Sequence, residues 1–315
     1  MNIFTEPYFL TDEAARAKIV GIRWPNGQVC PCCGESERRY NTKREGRYRC
    51  ANPGCRVDFT VTMGTVMESS HIGLHKWLMA FYLLSSSKKG ISSHQLMRSL
   101  GVTYKSAWFL SHRVREAMKA GGLVVPMSGP EGIVEADETY IGKQDNPTPS
   151  KQRKGRPFTK SGKSGGAQKR AVVSLVERHG KVRSFHVASA DGETVTKIMR
   201  ENVAKSARLH TDESRLYIKV GKEYRAHETV NHSIKEYARG DVHVNSAEGF
   251  FGLFKRGFNG IYQHCSEKHL HRYLAEYDFR YYNRIRLCID DMARTLAAVK
   301  GAEGKRLIYR QADGT

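Results

Sequence analysis

Residues 243–257, His-Val-Asn-Ser-Ala-Glu-Gly-Phe-Phe-Gly-Leu-Phe-Lys-Arg-Gly, hold side chains that could do chemistry at helical spacing. Wound at about 100° per residue, they set Glu248 and Lys255 on nearly one line, two turns apart, with Asn245 about 60° away. Phe250, Leu253 and Phe254 fall on the opposite side. One face is fit to pack on a core. The other offers an amide, a carboxylate and an ammonium, a set suited to a metal ion beside a phosphate. Alone, the pattern also describes an ordinary amphipathic helix with a solvated Glu/Lys face.

Two acids upstream favour the chemical reading. Asp137 lies in the strand-like run Ile-Val-Glu-Ala-Asp-Glu at residues 133–138. Alternation puts Ile133, Glu135 and Asp137 on one face and Val134, Ala136 and Glu138 on the other. Asp212 ends a later short strand, Leu209-His210-Thr211. Carboxylates from two neighbouring strands and a helix packed across them can hold two divalent cations about 4 Å apart, which activate a water or a 3′-hydroxyl and stabilise the leaving oxygen of a phosphodiester. Hard oxygen ligands favour Mg2+ or Mn2+. Asn245 and Glu248 compete as third ligand. Glu248 is expected to be the ligand because a third anion offsets metal charge and an amide does not; Asn245 then caps the helix or adds a weaker contact.

A second constellation is separate from the acids. Five of the seven cysteines crowd into residues 30–55. Cys30 and Cys33 form a C-x2-C knuckle, and Cys50 and Cys55 a C-x4-C partner. Such spacing closes a tetrahedral zinc site of the structural kind rather than a disulfide framework. Cys32 stands beside Cys33 as an alternative ligand.

The elements that must position these groups follow from period and charge. Leu74, Trp77, Leu78, Phe81 and Leu84 make one helical stripe. A Ser-capped helix then runs to Leu100, Gly101 turns it, and Tyr104 opens another: a helix-turn-helix pattern. Its second helix would offer Tyr104, Lys105 and Ser106 to DNA, with Arg113 and Arg115 further on; Lys255 and Arg256 would meet phosphate near the acids. Residues 143–170 form a basic, proline-containing loop, either a backbone clamp or a solvated insertion. Around it lie strands at 132–142, 171–177 and 182–188, a helix at 192–206, the Asp212 strand, and aromatic-rich helices over 267–298.

Composition bounds the partners. The 315 residues carry 52 Lys plus Arg against 32 Asp plus Glu, a formal charge of +20, which points to a polyanion such as nucleic acid. There is no long apolar run, lipidation signal or signal peptide, so the expected place is the cytoplasm, at the nucleoid and not at a membrane.

Taken together and in order, several motifs resemble one family. They are Arg23-Trp24-Pro25-Asn26-Gly27, the Cys knuckles, Gly64-Thr65-Val66, Ala107-Trp108-Phe109-Leu110, and Glu135-Ala136-Asp137-Glu138-Thr139-Tyr140-Ile141-Gly142. Then come Thr211-Asp212-Glu213, Asn231-His232-Ser233, His243 to Glu248, Lys255-Arg256-Gly257 and Arg280-Tyr281-Tyr282-Asn283-Arg284. The sequence resembles the bacterial insertion-sequence DDE transposases that carry an N-terminal zinc ribbon, of the ISXO2-like type. The resemblance implies an α/β multidomain chain with a ribonuclease H-like (retroviral-integrase-like) catalytic domain. It also implies binding of terminal inverted repeats, Mg2+-dependent cleavage and strand transfer. Pairing two ends argues for at least a dimer on DNA.

The expected division is a helical segment at 1–28, a zinc ribbon at 29–66, a helix-turn-helix region at 67–125, a catalytic domain at 130–298 with the insertion 143–170, and a tail at 299–315 whose last dozen or so residues are expected to fray. Two rival readings keep their place: a zinc-ribbon regulator that binds DNA without cutting it, and a metal-dependent nuclease or resolvase that hydrolyses without joining.

Overall fold

The structure is a computed structural model and describes residues 3–121, 125–130, 132–145 and 169–308. Most of the basic insertion expected at 143–170 lies outside the described residues. The chain forms two compact units, Met1–Ala120 with Cys288–Thr315, and Gly121–Leu287.

In the first unit, α1 (Pro7–Leu10) and α2 (Asp12–Arg23, capped by Thr11) precede a three-stranded antiparallel ribbon. Its strands are β1 (Arg39–Asn41), β2 (Arg47–Cys50) and β3 (Asp58–Thr60). Trp24 meets Tyr48 and Phe59 edge-on, with centroids 6.2 and 5.9 Å away, tying α2 to the ribbon. The apolar stripe forms α3 (Leu74–Ser86), with Trp77, Leu78, Phe81 and Leu84 buried. Next come α4 (Ser93–Leu100) and α5 (Tyr104–Met118), each started by a hydroxyl cap, Ser92 or Thr103, that accepts a backbone N–H. Gly101 stands between them at φ 58, a left-handed conformation that costs glycine little.

The expected boundary at 298 is corrected. Helix α10 (Asp291–Lys300) packs on α3, with Ala298 and Val299 buried and Arg294 donating to the Ser85 carbonyl at 2.9 Å. The chain after it is no frayed tail as far as residue 308. Val66 donates to the Ala302 carbonyl and Gly304 to the Gly64 carbonyl, so unpaired backbone groups at both ends are satisfied together.

The second unit is a five-stranded sheet between two helical layers. Its strands are β4 (Ile133–Ile141), β5 (Arg170–Glu177), β6 (Val182–Val187), β7 (Arg208–Thr211) and β8 (Ala226–Thr229), in the order β6-β5-β4-β7-β8. The first three are antiparallel to their neighbours; β4, β7 and β8 are parallel. Helices α6 (Gly192–Asn202) and α7 (Arg215–Gly221) bury one face of the sheet through Val134, Ala136, Leu175, Leu209, Val195, Met199 and Tyr217. A short hairpin, β9 (Ala238–Arg239) and β10 (Val242–His243), leads to α8 (Asn245–Gly257), and α9 (Leu270–Tyr282) follows. These two helices bury the other face through Phe250, Phe254, Leu274, Tyr277, Val172 and Val176. Sequence periodicity misses α7 and β8, because seven- and four-residue elements are too short to display a period.

Two polar contacts with the sheet fix the second helical layer. Val244, at the start of α8, makes no side-chain cap. The carboxylate of Glu135, from the middle of β4, takes that role: it accepts the backbone N–H of Ser246 at 2.7 Å and of Ala247 at 3.1 Å, and the Ser246 hydroxyl at 3.0 Å. Arg178 Nε donates to it at 2.9 Å. Glu135 is fully buried, so this charge depends on those partners. On α9, Asp278 accepts the Ser184 N–H at 2.9 Å and its hydroxyl at 2.7 Å. No helix among the described residues is long and apolar enough to cross a membrane.

Glu135→Ala leaves a largely buried guanidinium and two helix N–H groups without their acceptor. It should cost about 3–5 kcal/mol, read as a lower midpoint in thermal unfolding; an unchanged midpoint would remove Glu135 as the anchor of α8. Asp278 gives a pH signature. Packing pushes its carboxyl up to about 7, only partly opposed by the two Ser184 hydrogen bonds. The folded state therefore binds this proton more tightly than the unfolded chain does. The stability it confers is fully present below the usual carboxylate pKa and is lost as pH rises through about 7. Asp278→Asn should flatten the fall in melting temperature between pH 5 and 8, and an equally steep fall would refute the assignment.

Candidate active site

Strand register brings the two aspartates together. Ile133 pairs with Arg208 and Glu135 with His210 in the parallel β4–β7 ladder, so the next step of that register sets Asp137 beside Asp212. Asp137 shares its strand face with Glu135, which reaches the start of α8, as the alternation predicts. The Glu138 N–H donates to Asp137 Oδ1 at 2.8 Å, and the Ser214 N–H to Asp212 Oδ1 at 3.0 Å. Glu248 projects from the exposed side of α8, and its side chain keeps 46% of its exposure.

The charges of these acids are felt across the site. Asp137 is pushed up to about 7, first by burial and then by repulsion from Glu138, Asp212 and Glu248. Burial also raises Asp212, with Glu213 adding to the effect and the Ser214 N–H and His232 opposing it. Glu138 sits on the other sheet face, where the Tyr217 hydroxyl donates to it at 2.8 Å. Asn245 is exposed at the first position of α8 and caps nothing, so the expected capping role is corrected: Glu135 already holds that helix start. Lys255 and Arg256 are exposed in its last turn.

The two candidate metal sites differ in closure. The thiols of Cys30, Cys33, Cys50 and Cys55 all lie within 4.8 Å of one another. Cys30 and Cys55 are 3.9 Å apart and Cys33 and Cys50 3.5 Å, close to the ~3.8 Å edge of a tetrahedron with bonds of about 2.3 Å to zinc. The alternative between Cys32 and Cys33 falls to Cys33. Among the described residues, the three carboxylates do not close to that spacing. One ion needs a tight shell, whereas two ions about 4 Å apart, each with bonds of about 2.1 Å, spread their ligands over as much as about 8 Å.

The helix-turn-helix residues divide. Tyr104 is 45% exposed and stacks on His94 at 4.4 Å; Lys105 is exposed and Ser106 half-buried. Arg113 and Arg115, expected on the DNA face, are corrected: both are buried. Arg113 donates to the Leu307 and Glu68 carbonyls and lies over Phe109, and Arg115 donates to the Ser111 hydroxyl at 2.8 Å. Arg170, counted with the basic insertion, is likewise buried, where it binds Asp145 and the Cys265 carbonyl.

Sequence reasoning assigned no role to Glu135, Arg178 or His232. Glu135 gave a signal in its shared strand face with Asp137, and His232 in the quoted motif Asn231-His232-Ser233; Arg178 gave none. Arg178 and His232 meet the site through contacts across 43 and 16 residues of chain.

Two family models match the chain. Residues 130–282 match the model of the ISXO2-like transposase domain, and residues 10–57 that of the transposase zinc-ribbon domain. An uncharacterised protein in the transposable element ISH50 of Halobacterium salinarum is 30% identical over 284 residues, covering 86% of this chain and 91% of that protein. The Mos1 strand transfer complex is a remote neighbour, at 10% identity over 73% of this chain and 79% of that one, with a TM-score of 0.27, too distant to bear on this fold. The chain belongs to the ISXO2-like family of insertion-sequence transposases with an N-terminal zinc ribbon.

Proposed function

We propose that this protein binds the terminal inverted repeats of its element, cuts DNA there and transfers the freed strands, using a pair of Mg2+ or Mn2+ ions held by Asp137, Asp212 and Glu248. The observation that carries the reading is the β4–β7 register that sets Asp137 beside Asp212, with Glu248 within electrostatic reach from α8. Mutually repelling acids brought together favour a cation among them. The sheet order, three antiparallel strands followed by two parallel ones, supports a ribonuclease H-like assignment for this unit.

The donor set fits the ions: hard carboxylate oxygens with a net −3 against +4, next to a −1 phosphodiester. When bound, the ions would supply activation of the attacking oxygen and charge stabilisation at the leaving one. The chain's own residues have separate tasks. Asp137 and Asp212 hold their positions through strand register and one backbone hydrogen bond each. Tyr217 keeps Glu138 turned to the opposite face. Glu248 completes the set from α8, and Lys255, two turns on, meets the phosphate together with Arg256. Tyr104, Lys105 and Ser106 open the helix that would enter the DNA groove. Structural zinc on the four cysteines holds the ribbon, and two chains pair the two ends.

Asp137→Asn and Asp212→Asn should each retain end binding and lose cleavage by about a thousandfold or more, with the double variant no worse than either single. Glu248→Gln should be nearly as inert, and Asn245→Ala should keep most activity in Mn2+-supported cleavage of end DNA. The reverse ranking would make the third ligand Asn245. Cleavage without joining would leave a nuclease, and binding with no cleavage in the wild type a regulator.

Lys105→Ala in the full chain should weaken binding to end DNA and reduce its salt dependence by about one phosphate contact. Zinc chelation should abolish end binding. If both treatments leave binding unchanged, end recognition does not reside in the N-terminal unit.

A further inference from the structure

We infer that His232 is an additional ligand of the catalytic centre, giving a ring nitrogen to the divalent ion on the Glu248 side. The inference rests on the reading of Asp137, Asp212 and Glu248 as a divalent-metal site. His232 Nδ1 lies 3.9 Å from Glu248 Oε1. That is longer than a direct hydrogen bond, which runs to about 3.2 Å. Two donors on one ion, with bonds of about 2.1–2.2 Å, can stand no further apart than about 4.4 Å. The pair therefore spans a distance that one ion can bridge. The imidazole is also within electrostatic reach of Asp212.

The position of the ring is built rather than incidental. Glu213, the residue after Asp212, accepts the N–H of His232 at 2.6 Å, the N–H of Ser233 at 3.2 Å and the Ser233 hydroxyl at 2.5 Å. Asn231 closes the turn by accepting the Ser233 N–H at 2.9 Å through its own side chain. Tyr237 packs on the ring with centroids 5.4 Å apart. The strand end that sets Asp212 thus also sets His232, and each residue of Asn231-His232-Ser233 has a task in presenting one imidazole. A nitrogen donor among carboxylates shifts a site from Mg2+ toward Mn2+.

The test uses the full chain, zinc-loaded, with Mn2+ alone as probe, and reads electron spin-echo modulation from nitrogen bound to the ion. The wild type should show histidine nitrogen coupling that changes when histidine is 15N-labelled. It should disappear in His232→Gln, whose Mn2+ affinity should fall by roughly tenfold. The labelled wild type needs no variant to fold. Mn2+ bound in an Asp137-dependent manner with no nitrogen coupling would overturn the role of His232 and leave the acid site standing. Coupling that persists in His232→Gln would assign the nitrogen to another imidazole and overturn it equally. Mn2+ binding indifferent to Asp137→Asn would overturn the acid site and this inference with it.

Discussion

A buried carboxylate at the start of a helix holds the second unit in working order. Glu135 reaches from the middle of β4 to the first N–H groups of α8, where the helix dipole and the Arg178 guanidinium share its charge. A carboxylate taken out of water without partners costs several kcal/mol, so the helix start cannot drift from the strand. Because Asp137 is two residues further along the same face of β4, one contact sets the distance between strand acid and helix acid. A slip of one helical turn, about 5.4 Å, would carry Glu248 away from the aspartates.

The sheet supplies the other half of the geometry. Antiparallel pairing on one side of β4 and parallel pairing on the other leave β7 running alongside β4, with Asp212 just past its end. Register then decides which residues face each other, and a shift by one would turn Asp137 or Asp212 to the α6–α7 face. The resulting crowd of acids is unfavourable for the fold taken alone, because burial and repulsion from Glu138, Asp212 and Glu248 push the Asp137 carboxyl up. Such local cost at a site held rigid by its surroundings is where function is usually found.

Several family motifs outside the site serve the fold. Arg23 donates to the Val61 and Met63 carbonyls at 2.7 and 2.8 Å, locking the end of α2 to the ribbon. Gly64-Thr65-Val66 pairs with residues 302–304. Arg280 is buried against Glu276, and Asn283 closes the end of α9 by donating to the Phe279 carbonyl. Arginine in this chain therefore has two uses. Part of the +20 charge is solvated and open to a polyanion, and part is consumed inside, as with Arg113, Arg115, Arg170 and Arg280.

Features governed by short-range rules are legible in the chain alone. Cysteine spacing named the ribbon, strand alternation put Asp137 and Glu135 on one face, and the 3.6-residue period gave α8 its buried phenylalanines and its exposed Glu248 and Lys255. Caps and Gly101 marked α4 and α5. Tertiary structure decided the rest, because each remaining question turned on contacts distant along the chain. Burial made Arg113 and Arg115 structural, since a basic residue on a helix looks the same in sequence whichever way it faces. The packing of α10 on α3 moved the end of the second unit to Leu287. The Glu135 cap took from Asn245 the role its position had implied, and the Glu213-held turn brought His232 to Glu248. None of these leaves a periodic trace, because a single side chain reaching across the fold has no repeat to read.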